Sequence, residues 1–465
     1  MFHVRRRSAA RLAAAILASG LVAAGAIAGA GSAAADDATP TAGGATAVLG
    51  GLKTYGDAVI HEDAGDREVS AGLFEMSVDG GGTIQTYCID INHHTQKDAS
   101  YKEVPWSASS LHDNADAKKI NWILQHSYPQ VNDLAALAGT AGSGTLTEQT
   151  AAAGTQVAIW RFSDGVDVDA SDPAAEKLAD YLEKAAQSTE EPEASLSLSP
   201  TAVSGKAGEK LGPVTVHTNA DTVSVGLTPS TPSGVKLVDK DGKEVTSAAD
   251  GSELYFDVPA GTEGTAALSV SATTTVPVGR AFTAVDSTSQ TQILAGSSDS
   301  TVTAAATAAW AKKGAIPAVS AEVNCAKGGV DVTAANEGDE DFTFQLAGKE
   351  YTIAPGGSKT ITVPVAEDQA YSITITGPDD FTKTFEGVLD CETAATGSAS
   401  PSSSPSAASA GGTSEVTAGT TTGDLAETGA SSATPVIAGV AIALLVIGGA
   451  AIFLLRKKKP GRPAE

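Results

Sequence analysis

Residues 83–91 read TIQTYCIDI and residues 145–165 read TLTEQTAAAGTQVAIWRFSDG. The first alternates apolar and polar side chains and follows the strand-like LFEMSV (73–78) after Gly80, Gly81 and Gly82, so it predicts the second strand of a hairpin. Alternation puts Cys88 on one face with Ile84, Thr86 and Asp90, and turns Tyr87 and Ile89 to the other. The second stretch predicts a helix, with Thr145 and Glu148 at capping-box spacing and Gly165 as its stop. Ala152, Ala153, Gln156, Val157 and Trp160 fall on one stripe of it, which aims the polar Gln156 inward. A second helix is expected in AKKINWILQHSYP (117–129), which carries Ile120, Ile123 and Leu124 at helical spacing and stops near Pro129.

Outward from this α+β region, composition marks the joints. Residues 48–188 form the first domain, and STEEPEAS (188–195) closes it. Residues 195–310 read as short Val, Thr, Leu and Ser runs between turns such as DKDGKE, and residues 318–392 repeat the style with YTIAP and KTITVPV; both predict all-β sandwiches. Residues 393–424, mostly Ser, Thr, Ala, Gly and Pro, cannot bury a core and are expected to be a disordered linker with a reach of roughly 30 Å.

The ends address the chain. Residues 1–35 combine Arg5, Arg6, Arg7 and Arg11 with an apolar stretch and the small residues Ala33, Ala34 and Ala35, the pattern of a secretory signal peptide. Val436 to Leu455 is long enough, at about 30 Å as a helix, to cross a bilayer. Arg456, Lys457, Lys458 and Lys459 follow it and set that end in the cytoplasm. Between the predicted leader and the predicted anchor the charge is about −33, against −25 for the whole chain. Such acidity repels phosphate backbones and argues against nucleic-acid binding.

Three cysteines remain in this exported chain. Cys325 and Cys391 bracket the last sandwich and are expected to form its disulfide, which leaves Cys88 alone. Taken by spacing, Cys88 and Gln156 read as a small buried hydrophobe beside a hydrogen-bonded core glutamine. TYCID around Cys88 and TQVAIW around Gln156, in this order and context, resemble the two halves of the thioester domain of Gram-positive adhesins. That resemblance covers about residues 48–188. It implies an internal thioester, with sulfur from Cys88 and the acyl carbon from Gln156, that captures an amine on a partner surface without turnover and without a cofactor. It also gives Asp90 the place of the family's acidic residue. Tyr87, Trp106 and Trp160 read first as core packing and second as cover that excludes water from the bond.

Leu425, Ala426, Glu427, Thr428 and Gly429, with the apolar span and basic tail, resemble a sortase sorting signal. This implies membrane passage before cleavage at Thr428, then attachment to peptidoglycan in the wall of a Gram-positive bacterium.

Three other readings compete. A cysteine peptidase or transglutaminase would pair Cys88 with His93 or His94. A metal site has little support, because the histidines show no ligand spacing and a calcium loop at VDVDAS (166–171) would need a glycine where Asp172 stands; a helix cap accounts for Ser171, Asp172 and Pro173 instead. A noncovalent stalk shares every feature but the reactive bond.

Overall fold

Two long runs rich in β-branched and small residues make the backbone of the first body. They are β1 (Thr46–Ile60) and β2 (Arg67–Val78), paired antiparallel from Ala47↔Val78 to Ile60↔Arg67. The computed structural model describes residues 41–393. The glycine turn leads into β3 (Thr83–Cys88), which pairs back on β2, and β4 (Ser100–Val104) pairs on the start of β1. A short β5 (Val168–Ala170) adds to the far end of β1.

The gap between β3 and β4 is filled from far along the chain. β6 (Ala281–Ala284) pairs with β4, β7 (Gln292–Ser297) pairs with β3, and the two pair with each other. Six strands thus form a closed antiparallel ring in the order β1, β2, β3, β7, β6, β4. Closure leaves no open edge among them. Residues 195–310, read from sequence as one sandwich, are therefore shared between two bodies. The reason is visible in burial. Every residue of β6 is buried, as are five of the six in β7, because one face supports the helices and the other fills the ring.

Four helices cover the ring: α1 (Ala117–His126), α2 (Leu134–Ala141), α3 (Glu148–Ser163) and α4 (Pro173–Ala185). The capping box of α3 is Thr147 with Thr150, two residues later than the Thr145–Glu148 pair expected. Asp172 caps α4, with Pro173 at its first turn. α3 is buried from Ala151 to Trp160, well beyond the single stripe expected, because small residues let it lie between two layers. A Cβ on Gly154 would stand 2.4 Å from the Ala175 carbonyl of α4, and one on Gly56 of β1 would stand 3.1 Å from Ala153.

The remaining described chain is β. One sheet of the second body includes Gly264–Thr274 paired with Ser300–Ala311, and the N-terminal Thr41–Gly44 joins the same Ser300–Ala311 strand. A facing sheet is built on Lys210–Thr218 and Glu253–Asp257, with Leu211, Val214, Phe256, Leu268 and Trp310 in a common core. In the third body, Pro317–Asn324, Gly329–Asn336 and Gly357–Pro364 form one sheet. Phe342–Leu346, Lys349–Ile353, Ala370–Thr376 and Thr382–Val388 form another, around Val332, Phe342, Phe344 and Ile375. Cys325 and Cys391 are disulfide-bonded, with Cα atoms 5.3 Å apart. Among the described residues no helix is long and apolar enough to cross a membrane. The expected signal peptide, the linker from residue 394 and the sorting signal with its apolar span lie outside the described residues.

Candidate functional site: Cys88 and Gln156

The β2–β3 ladder ends at the Phe74–Thr86 pair, so the edge of β3 beyond it needs another partner for its backbone. Gln156 supplies it. The Cys88 N–H donates to Gln156 Oε1 at 3.0 Å, and Gln156 Nε2 donates to the Cys88 carbonyl at 2.8 Å. The carboxamide of α3 therefore sits on β3 like one peptide unit of a neighbouring strand. Cys88 and Gln156 are both completely buried.

Cys88 is the free cysteine of the described residues, and its sulfur accepts from the Asp90 N–H at 3.2 Å. The loop beyond is held by Asp164 at the end of α3, whose Oδ1 accepts from the Ile91 N–H at 2.9 Å. Tyr87 donates its hydroxyl to the Tyr128 carbonyl at 2.8 Å, and Trp106 donates Nε1 to the Gly279 carbonyl at 2.8 Å. Tyr87 thus ties the turn after α1 to β3, and Trp106 ties the stretch after β4 to the one before β6. Trp160 is buried one helical turn beyond Gln156, and its Nε1 has no hydrogen-bond partner among the described residues.

Burial pushes the Cys88 thiol well above its ordinary range, away from the thiolate form in which a cysteine is nucleophilic. The Asp164 and Asp90 carboxylates add to that rise, and the Asp90 N–H opposes it. The resting group is a neutral thiol, so any nucleophilic step at Cys88 would have to move its proton.

His93 does not complete a peptidase pair. Its Nδ1 meets Asp90 Oδ2 at 2.5 Å and its Nε2 meets Asp368 Oδ2 at 3.2 Å. With both nitrogens on carboxylates, the Asp90 contact foremost, its pKa rises to about 9 and it is an imidazolium at neutral pH. It has no free nitrogen to accept the Cys88 proton. Asp368 belongs to the third body, a partner 275 residues away that sequence reading did not find.

Burial raises Asp164 to about 7. The folded state thus holds its proton far above the unfolded carboxyl range near 3.9. The contribution is complete below the unfolded value, is lost as pH rises, and levels off above about 7. Asp164→Asn keeps an acceptor for Ile91 and removes the titration. Relative to the wild type, urea unfolding should therefore show the variant gaining stability between pH 4 and pH 7, by up to about 1.4 kcal/mol per pH unit. Parallel pH profiles for the two proteins would refute this.

With the geometry in view, similarity can be placed on it. Residues 85–188 match the family model described as "Thioester domain", a span that contains Cys88, Asp90, Gln156 and Trp160. The chain thus carries a region of thioester-domain type. Residues 317–388 match the model described as "Bacterial phospholipase C, C-terminal domain". Among solved structures, the chain is similar to the Bacillus anthracis TIE protein, with 16% identity, a TM-score of 0.26, and 75% of this chain and 81% of that one covered. It is also similar to the thioester domain of the Enterococcus faecium TIE86 protein, at 18% identity and a TM-score of 0.27 over 58% of this chain and 97% of that one. The thioester domain of the Staphylococcus aureus TIE protein follows at 13% identity, a TM-score of 0.23, and coverage of 57% and 99%. No curated protein matches the chain.

Proposed function

We propose that this is an exported surface protein in which Cys88 and Gln156 condense to an internal thioester that then captures an amine on a partner surface. One observation carries the reading: within the span that matches the thioester-domain family, the Gln156 carboxamide is held on the Cys88 backbone with both residues buried. The Cys88 N–H on Oε1 is placed to hold the negative charge that develops there when sulfur attacks the acyl carbon. The C–S bond forms, the C–N bond breaks, and the thiol proton leaves with Nε2 as ammonia. A lysine-type amine on the partner reverses the logic: its nitrogen takes the acyl group, the sulfur leaves, and the amine proton returns to it. The reaction runs once per molecule, and no cofactor enters it.

The two end signals support wall attachment in a Gram-positive bacterium. A leader ending near Ala35 would export the chain, and sortase would join it to peptidoglycan after cleavage between Thr428 and Gly429. The acidic surface and the β-rich second and third bodies suit a stalk that presents the first body. Digestion with a cell-wall hydrolase should release the chain from its host cells.

Intact mass tests the chemistry. Residues 36–428 of the wild type should be lighter by one ammonia than the sequence requires, while Cys88→Ala and Gln156→Ala have their full calculated masses. Methylamine should add to the wild type at Gln156 and expose one alkylatable thiol at Cys88. A folded wild type at full mass and inert to methylamine would leave the noncovalent stalk as the better account.

A further inference from the structure

Beyond the Cys88–Gln156 pair, the geometry points to a calcium site formed by Glu367, Asp368 and Asp390 at the seam between the third body and the first. Ligand oxygens from the three carboxylates lie within 4.8 Å of one another. Carboxylate oxygens that close can share one hard cation, and three protein carboxylates suit Ca2+, which takes about six to eight oxygen ligands, better than Mg2+, which usually keeps several waters and only one or two carboxylates.

Acidic clusters are common on surfaces, but this one reaches inward, with Glu367 and Asp368 half-buried and Asp390 buried. Asp390 is 5% exposed; its Oδ2 accepts from the Thr291 hydroxyl at 2.9 Å, while its Oδ1 is buried without a hydrogen-bond partner. Asp368 repeats the arrangement, with Oδ2 on His93 and a buried Oδ1 lacking a partner. Asp90, completely buried on the other side of His93, leaves its own Oδ1 without one. Glu367 is held by the backbone N–H groups of Cys391 and Glu392, both on Oε1. Asp90 and Asp368 share His93, and among the described residues no lysine or arginine pairs with either of them or with Glu367 or Asp390. Buried carboxylate oxygens without partners are costly, and a hard divalent cation with oxygen ligands satisfies several at once. The sequence shows no calcium-loop pattern here because Asp390 lies far along the chain from Glu367 and Asp368, and the Cys325–Cys391 disulfide and the Ala370–Thr376 and Thr382–Val388 hairpin bring it back.

Ca2+ would lock the third body onto the first. Asp368 reaches the loop after Cys88 through His93, and Asp390 reaches Thr291, next to Gln292, the strand partner of Cys88.

Thermal unfolding and calorimetry on residues 36–428, stripped with EDTA and titrated with CaCl2 at pH 7.5, test the site. One Ca2+ per chain should bind, with a Kd on the order of 0.1–1 mM as in extracellular modules, and Tm should rise by several degrees at millimolar Ca2+, with a smaller rise for Mg2+. Asp390→Asn and Glu367→Gln, each checked for folding by circular dichroism, should lose the Ca2+-dependent rise. Cys88→Ala should keep it, which separates this site from the thioester. No Ca2+ heat and no shift would overturn the site; an undiminished shift in both carboxylate variants would place binding elsewhere; and an equal response to Mg2+ would overturn the assignment to calcium.

Discussion

A fragment of residues 41–194, which holds both Cys88 and Gln156, should remain unfolded and keep its full calculated mass. Residues 41–393 should unfold cooperatively and lose one ammonia. The fragment lacks β6 and β7, so the ring would open between β3 and β4, leaving Cys88 on a bare strand edge. It would also lose Phe282, Ile293 and Leu294, all fully buried. At about 1.5–3 kcal/mol each, those three side chains alone approach the whole stability of an ordinary domain, about 5–15 kcal/mol. Without a fold, nothing holds the carboxamide against the thiol, and the proximity that makes condensation possible is absent. Circular dichroism and urea titration read the folding, and intact mass reads the chemistry. A cooperative transition in residues 41–194 would show that the ring does not need its distant hairpin.

That hairpin is where sequence reading stopped short. AFTA (281–284) and QILAGS (292–297) look like strands, and they are strands. Nothing local states which sheet receives them, because the partner of Gln292 is Cys88, reached only through tertiary structure. Local features fared better. The cap at Asp172 and Pro173 and the helix over residues 117–126 follow from spacing, while the start of α3 moved two residues because Thr147 with Thr150 takes the capping geometry expected of Thr145 with Glu148. The juxtaposition of Cys88 and Gln156 was legible only through the paired motifs. The thiol's environment was not: the carboxylates that raise it, Asp90 and Asp164, approach from the strand's own loop and from the end of α3. Likewise the sequence offered His93 only as a rival partner for Cys88, whereas Asp90 and Asp368 hold it from two bodies.

The STEEPEAS segment, read from composition as a joint, is pinned in place: Glu191 accepts from Arg280 Nη1 at 2.7 Å and from the Trp106 N–H at 2.9 Å. The Pro192 carbonyl also faces Arg280, at 3.2 Å. Arg280 in turn donates Nε to Glu103 Oε1 at 2.9 Å, and Glu103 accepts from the Ala45 N–H and from the N–H and hydroxyl of Ser195. One buried pair therefore gathers the N-terminal segment, β4, the supposed joint and the residue preceding β6. The Arg280 and Glu103 side chains are 6% and 1% exposed, so removing one charge strands the other out of water. Arg280→Met should lower unfolding stability by about 3–5 kcal/mol, against about 0.5 kcal/mol for an ordinary surface substitution. Arg280→Met with Glu103→Gln should recover part of that loss, because the second change removes the uncompensated anion while keeping an acceptor for Ala45 and Ser195. Urea unfolding of the single and double variants decides between a pinned segment and a free one. If Arg280→Met costs no more than a surface change, residues 188–195 are the loose joint their composition suggests, and the two bodies are held by β6, β7 and their flanking strands alone.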